Sequence, residues 1–109
     1  MIAHIVLLQP RADLTEAQRA DALAALRNAA AGVPEIRTVR LGRRIKHGLP
    51  GYEQSMSQNF EYALLIEVDD ADALKRYLQA PAHAALGDLF YHATSAALAY
   101  DYALEDIRS

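Results

Sequence analysis

Residues 73–89 read ALKRYLQAPAHAALGDL, a helical pattern that Pro81 interrupts and that resumes directly afterwards. In one continuous helix, Tyr77 and His83 would stand about 600° apart around the axis, on different sides. Pro81 disfavours the helical conformation at Ala80 and lacks a backbone N–H donor, so we expect the chain to turn there. The sequence therefore predicts two short helices whose junction lets the phenol and the imidazole converge.

Around this junction the chain alternates between strand and helix patterns. Apolar runs bounded by turn-forming residues predict four strands, at residues 2–8, 36–46, 60–69 and 95–104. Thr15 and Gln18 form a capping box, which predicts a helix over residues 17–31 that Gly32 and Pro34 end.

The second helix begins at Asp70 or Asp72, the third ends near residue 93, and residues 47–59 form a loop. The resulting order, β, α, β, β, α, α, β, predicts an α+β fold. Its subunit is ferredoxin-like, with an antiparallel four-stranded sheet and a broken second helix, in a single domain of residues 1–109.

The predicted strands are apolar on both faces. The segments IVLL, ALLI and AALAY place apolar side chains on both parities, whereas a sheet covered by helices on one side only should alternate. An uncovered apolar face of this size is untypical of a monomer. We therefore expect a homodimer through the sheet faces, which is a dimeric α+β barrel.

Composition excludes several functional classes. With 109 residues and 52% hydrophobic content, the chain suits one compact domain, and its net charge of −3 gives no reason to expect nucleic-acid binding. The chain has no cysteine, which excludes disulfides and thiolate chemistry. No run is long enough to span a membrane, and the first apolar run is too short for a secretory signal, so we expect a cytoplasmic protein.

Five of the eleven basic residues cluster in one strand and the turn after it. They are Arg37, Arg40, Arg43, Arg44 and Lys46. A solvated sheet edge, where charges discourage strand pairing, is the favoured interpretation, and an anion-binding rim is the alternative.

Metal binding is not expected. Asp88 and His92 have i, i+4 spacing on the third helix, which more often gives an exposed pair than a metal site. The four histidines contain no tight two-ligand motif, so no zinc site is predicted.

Five other polar or aromatic residues have ambiguous roles. Glu67 fits a base or, preferably, a partner for an arginine at the surface or an interface. Tyr100 and Tyr102 share parity and fit the dimer interface or a pocket wall. His47 and Tyr52, in the loop, either close over the barrel mouth or are simply solvated.

Several segments together resemble the stress-responsive A/B barrel (Dabb) family. They are MIAHIVLL, GVPEIRTVRLGRRI, YALLIEV, YLQAPAHAALGD and YDYAL. The resemblance covers nearly the whole chain and implies a ferredoxin-like subunit that dimerises through sheet faces. The family includes plant stress proteins that assemble into larger rings and a plant polyketide cyclase, and many bacterial members have no assigned activity.

The resemblance to the cyclase implies three site residues. His83 and Tyr77 match its catalytic histidine and tyrosine with the same five intervening residues, and His4 matches its first-strand pocket histidine. The implied chemistry needs no cofactor, because a base removes a proton next to a carbonyl and a donor stabilises the enolate oxygen. Leu26 and an aliphatic residue near Leu64 replace a tyrosine and a histidine of the cyclase, so we expect a more apolar pocket and a different substrate.

Each candidate also has a structural interpretation. His83 fits a hydrogen bond near a helix N-terminus, His4 fits a satisfied core histidine, and Tyr77 fits core filling. Two functions therefore remain open. One is an enzyme or binding protein for a small apolar carbonyl compound, with His83 as base and Tyr77 as donor. The other is a non-enzymatic stress or assembly protein with a structural histidine cluster. A cofactor-free monooxygenase is suggested by the shared barrel fold alone.

Overall fold

The computed structural model describes residues 1–108, which form four strands and three α-helices. The elements in chain order are β1 (Ile2–Pro10), α1 (Glu16–Ala31), β2 (Ile36–Arg43), β3 (Tyr62–Val68), α2 (Ala71–Gln79), α3 (Pro81–Ala93) and β4 (Thr94–Ala103). A short 3₁₀ turn, Glu53–Ser55, lies in the long connection between β2 and β3. The strand order in the sheet is β2-β3-β1-β4 and every pairing is antiparallel. The predicted α+β, ferredoxin-like βαββααβ fold with its broken second helix is confirmed.

Several strand ends differ from the prediction by one to three residues, among them those of β1 and β2. β1 continues to Pro10 because its last residues pair with β4, and the register shifts between Gln9 and Pro10. A proline is tolerated at such an irregularity, where a ladder hydrogen bond is already lost. β2 ends at Arg43 instead of residue 46, and Ile45 just beyond it is 81% exposed.

The capping box of α1 is confirmed. The Thr15 hydroxyl accepts a hydrogen bond from the Gln18 backbone N–H at 3.1 Å, and the Gln18 side chain accepts one from the Thr15 N–H at 2.9 Å. Gly32 ends the helix as predicted, although its φ of −94° is ordinary and not left-handed.

The core lies between the helices and one face of the sheet. Its strand residues alternate along β1 and β3, and Leu64, Ile66 and Val68 are each at most 1% exposed. The helices contribute Leu26, Ala73, Tyr77 and Leu86 to the same cluster. This alternation assigns the even-numbered positions of β1, including His4, to the helix side of the sheet.

The other face of the sheet carries no helix, and we call it the open face. Its apolar residues are Ile5, Leu7, Leu65, Leu98, Tyr100 and Tyr102, which pair across the strands in register. Leu98, Tyr100 and Tyr102 are 40%, 55% and 50% exposed. The molecule is accordingly a thin slab of 42 × 40 × 17 Å, with a single helix layer on a sheet.

Within residues 1–108, none of the helices combines the length and the apolar character needed to cross a membrane.

Candidate functional site

The junction between α2 and α3 has the predicted geometry. The Asp70 carboxylate caps α2 by accepting a hydrogen bond from the Ala73 N–H at 2.8 Å. Ala80 ends α2 in an extended conformation, with φ −69° and ψ 143°, and is also the residue from which α3 begins. Pro81 occupies the first turn of α3, where a missing N–H costs nothing and its fixed φ suits a helix. The turn at Ala80 therefore brings the C-terminal end of α2 next to the N-terminal end of α3.

Three aromatic rings meet at this junction: Tyr77 and His83, whose convergence the sequence predicted, and His4, which the family resemblance had implied. The ring centroids of Tyr77 and His83 are 5.0 Å apart, those of His4 and Tyr77 are 5.6 Å apart, and those of His4 and His83 are 6.2 Å apart. All three pairs meet edge to face, with interplanar angles of 69° to 73°. His4 comes from β1, Tyr77 from α2 and His83 from α3, so three separate elements build the cluster.

His4 is held by a fourth side chain, Asp101 of β4. The two residues are direct partners in the β1/β4 register, and Nδ1 of His4 lies 2.5 Å from Oδ1 of Asp101. An ionised carboxylate only accepts hydrogen bonds, so the contact requires a hydrogen on Nδ1. In the neutral ring Nε2 is then the nitrogen with a free lone pair. His4 is 4% exposed, so this pairing offsets the cost of burying a polar ring.

Tyr77 is buried, with 2% of its surface exposed. Its pKa is raised to about 12, chiefly because burial disfavours the phenolate and secondly because the Asp101 charge repels it. Among residues 1–108, the only fully buried side-chain oxygen without a hydrogen-bond partner is Oε2 of Glu53, which lies 3.4 Å from Nε2 of His47. The Tyr77 hydroxyl makes no side-chain hydrogen bond within residues 1–108, and its oxygen is not among the fully buried atoms that lack a partner. The oxygen is therefore not fully buried, and the hydroxyl is free to donate a hydrogen bond.

His83 has a lowered pKa. Burial is the main cause, and the neighbouring His4 adds to it, while the Leu78 backbone carbonyl and Asp101 act in the opposite direction. Because both leading effects disfavour the imidazolium, His83 is held in its neutral form at pH 7. A neutral imidazole accepts a proton, which is the state that a general base requires.

The cluster lines a cavity of about 320 Å³ between the helix layer and the sheet. Its other walls are mainly apolar and include Val6, Leu64, Leu86 and Phe90. The volume lies at the lower end of the range of small-molecule sites, and a few convergent polar groups on apolar walls are typical of them. The expected aliphatic replacement on the third strand, Leu64, lies in this cavity.

The remaining predicted residues lie away from the cavity. Leu26 lines a separate, smaller cavity instead. His47 and Tyr52 stack edge to face on each other in the exposed loop, with centroids 5.1 Å apart, and neither lines the main cavity. Glu67 lies on β3, 3.9 Å from Arg40 of β2, as an ion-pair partner.

The basic cluster lies at a sheet edge, as the favoured interpretation expected. β2 is an edge strand, and two of its arginines make ion pairs, Arg37 with Asp69 at 2.7 Å and Arg43 with Glu61 at 3.3 Å. The helical pair predicted on α3 is exposed. In the part of the chain that the structure describes, no three His, Asp or Glu side chains are grouped so that they would hold a metal ion.

Sequence reasoning missed Asp101. The available signal was an acidic residue in the middle of an apolar strand pattern, where aspartate is depleted. Its partner depends on the register of β4 against β1, two strands separated by nearly the whole chain, and the sequence does not specify that register.

Solved structures of similar fold cover almost the whole chain. A dimeric ferredoxin-like protein of unknown function from Thermobifida fusca has a TM-score of 0.73 at 24% identity, covering 94% of this chain and 90% of its own. A hydroxynitrile lyase from Passiflora edulis has a TM-score of 0.83 at 15% identity, with 99% and 96% coverage. A Dabb family protein from Mesorhizobium loti has a TM-score of 0.75 at 17% identity, with 96% and 97% coverage. At these identities the similarity establishes the fold.

Among curated protein sequences, none is similar to this chain. The sequence pattern of the stress responsive A/B barrel domain (Dabb), in contrast, matches residues 2–104. This match covers both edge strands of the sheet, the broken helix and the cluster of His4, Tyr77 and His83. The chain belongs to the stress-responsive A/B barrel family.

Proposed function

We propose that this protein binds a small apolar ligand that carries a carbonyl group and acts on it by cofactor-free acid and base chemistry. The observation that carries the proposal is the convergence of His4, Tyr77 and His83 on one cavity of about 320 Å³. A polar cluster in such apolar surroundings carries a desolvation cost that a purely structural core would avoid with leucine or phenylalanine.

His83 is the general base in this proposal. Its neutral imidazole takes a proton from the carbon next to the ligand carbonyl, and the electron pair of that C–H bond forms the enolate. In a ring closure of the aldol type, the enolate carbon then attacks a second carbonyl carbon of the same ligand. The protonated His83 returns its proton to the alkoxide that this attack creates, so the base is regenerated.

Tyr77 is the donor to the carbonyl oxygen. Its raised pKa keeps the phenol protonated at neutral pH, and its hydroxyl has no protein partner to give up before it binds a ligand. A donor that is already positioned in a cavity of low polarity stabilises the enolate oxygen as charge develops there. The ring contact with His83 keeps base and donor within reach of one small molecule.

Asp101 acts as a positioning residue for His4. By accepting from Nδ1 it fixes the orientation of the ring, and Nε2 then presents a hydrogen-bond acceptor to the ligand. Nitrogen chemical shifts of the His4 ring test this role. In the native protein they should show the hydrogen on Nδ1, and Asp101→Asn should remove that preference.

We further propose that two copies of the chain pack through their open faces. The exposed Leu98, Tyr100 and Tyr102 form an apolar surface that a second copy would cover. Because His4 and Ile5 point to opposite sides of β1, the cavity lies on the far side of the sheet from this surface. Each protomer of the dimer therefore has its own complete site.

The open face also favours a second candidate function, a non-enzymatic stress or assembly protein in which oligomerisation is the activity. Under that alternative the histidine cluster only stabilises the fold. His83→Ala would then lower thermal stability and alter assembly without a chemical consequence.

Deuterium exchange tests the base directly without knowledge of the natural substrate. Incubation of butyrophenone with the protein in D₂O, followed by proton NMR, measures removal of the proton next to the carbonyl. We expect the native protein to accelerate the exchange and His83→Ala to abolish the acceleration. Loss of the Tyr77 donor in Tyr77→Phe should slow it by roughly 10²-fold to 10³-fold.

His47→Ala is the matched control, because it removes an exposed histidine that does not line the cavity. It should leave the exchange unchanged. An equal rate in native protein and His83→Ala would refute the base assignment. If His83→Ala instead melted earlier and changed the oligomeric state, with no exchange in the native protein, the assembly function would be favoured.

A further inference from the structure

A second cavity lies beside the proposed site, and helix α3 lines both of them. This second cavity measures about 60 Å³ and is almost entirely apolar, with Leu8, Leu23, Leu26 and Leu41 among its walls. The main cavity contacts β1 at His4 and Val6, whereas the small one contacts it at Leu8 and Pro10. The two cavities therefore follow one another along the helix side of β1.

Phe90 is the one residue in the described part of the chain that lines both cavities. It belongs to α3 and is partly buried against the core. On the same helix, Leu86 and Gly87 line only the main cavity, and Ala93 lines only the small one. The ring of Phe90 thus stands where α3 passes from one cavity to the other.

The lining becomes less polar from the main cavity to the small one. The polar groups, His4, Tyr77, His83 and Asp101, lie in the main cavity, and no member of this set lines the small one. From His4 to Leu8 the strand advances about 13 Å, at roughly 3.3 Å per residue. A ligand whose carbonyl lies at the polar cluster would extend its apolar part along this path and meet Phe90.

We propose that Phe90 sets the length of the ligand and is a specificity-determining residue of this pocket. The inference rests on the proposed function, because it takes the carbonyl end of the ligand to lie between Tyr77 and His83. In the native protein the phenyl ring closes the path, so the pocket accepts a short apolar group. Removing the ring joins the two cavities and lengthens the apolar part that fits.

Phenyl ketones with acyl chains of increasing length, from acetophenone to octanophenone, provide the probe series. Calorimetric titration should show that affinity for the native protein rises with the first methylene groups and then falls. In Phe90→Ala the rise should continue through several more methylene groups, by about fourfold for each one buried. Phe90→Leu, a smaller truncation, should shift the optimum less and serves if the alanine variant folds poorly.

Tyr91→Ala is the matched control. It removes the neighbouring aromatic ring, which is 80% exposed and lines neither cavity, so its length profile should match that of the native protein. If the ketones bind but folded Phe90→Ala and Phe90→Leu keep the native profile, the assignment of Phe90 is wrong while the proposed function stands. If no ketone binds the native protein or either variant, the carbonyl site itself is wrong and the role of Phe90 fails with it.

Discussion

Tyr77→Phe removes a single hydroxyl group whose pKa differs between the folded and the unfolded chain. The pKa of Tyr77 is raised from 10.0 to about 12 in the folded protein, whereas the unfolded chain titrates near the lower value. The folded state therefore holds this proton more tightly. The corresponding stability is fully present below pH 10 and is lost as the pH rises towards 12. Two pKa units correspond to at most about 2.7 kcal/mol, reduced by whatever solvent in the cavity screens.

By pH 11 the native protein should have lost up to about 1.4 kcal/mol relative to Tyr77→Phe, as the two pKa values imply. Urea unfolding at pH 8.5 and pH 11 measures this difference. At the lower pH the two proteins should agree within about 1 kcal/mol, because the hydroxyl has no protein partner to lose. Ultraviolet titration near 295 nm supplies a second measurement: one late-ionising tyrosine of the six should disappear in the variant.

Tyr91→Phe is the control, since Tyr91 is 80% exposed and its removal should leave the pH dependence of stability unchanged. Parallel losses of stability in native protein and Tyr77→Phe between pH 8.5 and 11 would refute the reasoning. So would a late-ionising tyrosine that survives in the variant.

Four further variants test other parts of the fold. Tyr100→Glu places a charge on the open face and should convert the expected dimer to a monomer; light scattering after size-exclusion chromatography measures this, and a monomeric native protein would contradict it. Leu64→Ala, at a position 1% exposed, should lower the free energy of unfolding by about 2–5 kcal/mol. Leu49→Ala, at a position 57% exposed, should change it by less than about 0.5 kcal/mol in the same denaturation experiment. Thr15→Ala removes the cap of α1 and should cost about 1 kcal/mol, whereas retention of the native melting temperature would show that the cap adds little.

The parts of the site that depend on local chemistry could be predicted from the sequence. Pro81 acts through its own ring and its missing N–H, so the turn at Ala80 follows from a few neighbouring residues. The convergence of Tyr77 and His83 follows from that turn. Strand parity, which is also local, groups His4 with Val6 and Leu8. Because both parities of β1 are apolar, the sequence does not specify which of them faces the helices.

The parts that depend on register and packing could not be predicted. Asp101 faces His4 only because β4 pairs with β1 in one register, and a shift by a single residue would put Tyr100 or Tyr102 there instead. Phe90 lines two cavities because of the position of α3 on the sheet, and Leu26 lies beyond it for the same reason. Periodicity assigns a residue to a face of an element, but not to one of two cavities on that face.

Ala80 is shared by two helices, and this restricts how the chain length can vary among relatives. Tyr77 and His83 lie three residues before and after it, so the junction contains no spare residue that could absorb a change. One added residue would turn His83 by about 100° around the axis of α3 and away from Tyr77. Chains of this fold that gain or lose a residue in this interval should therefore lack the three-ring site. The connection between β2 and β3 contributes no wall to the cavity and can change in length without that consequence.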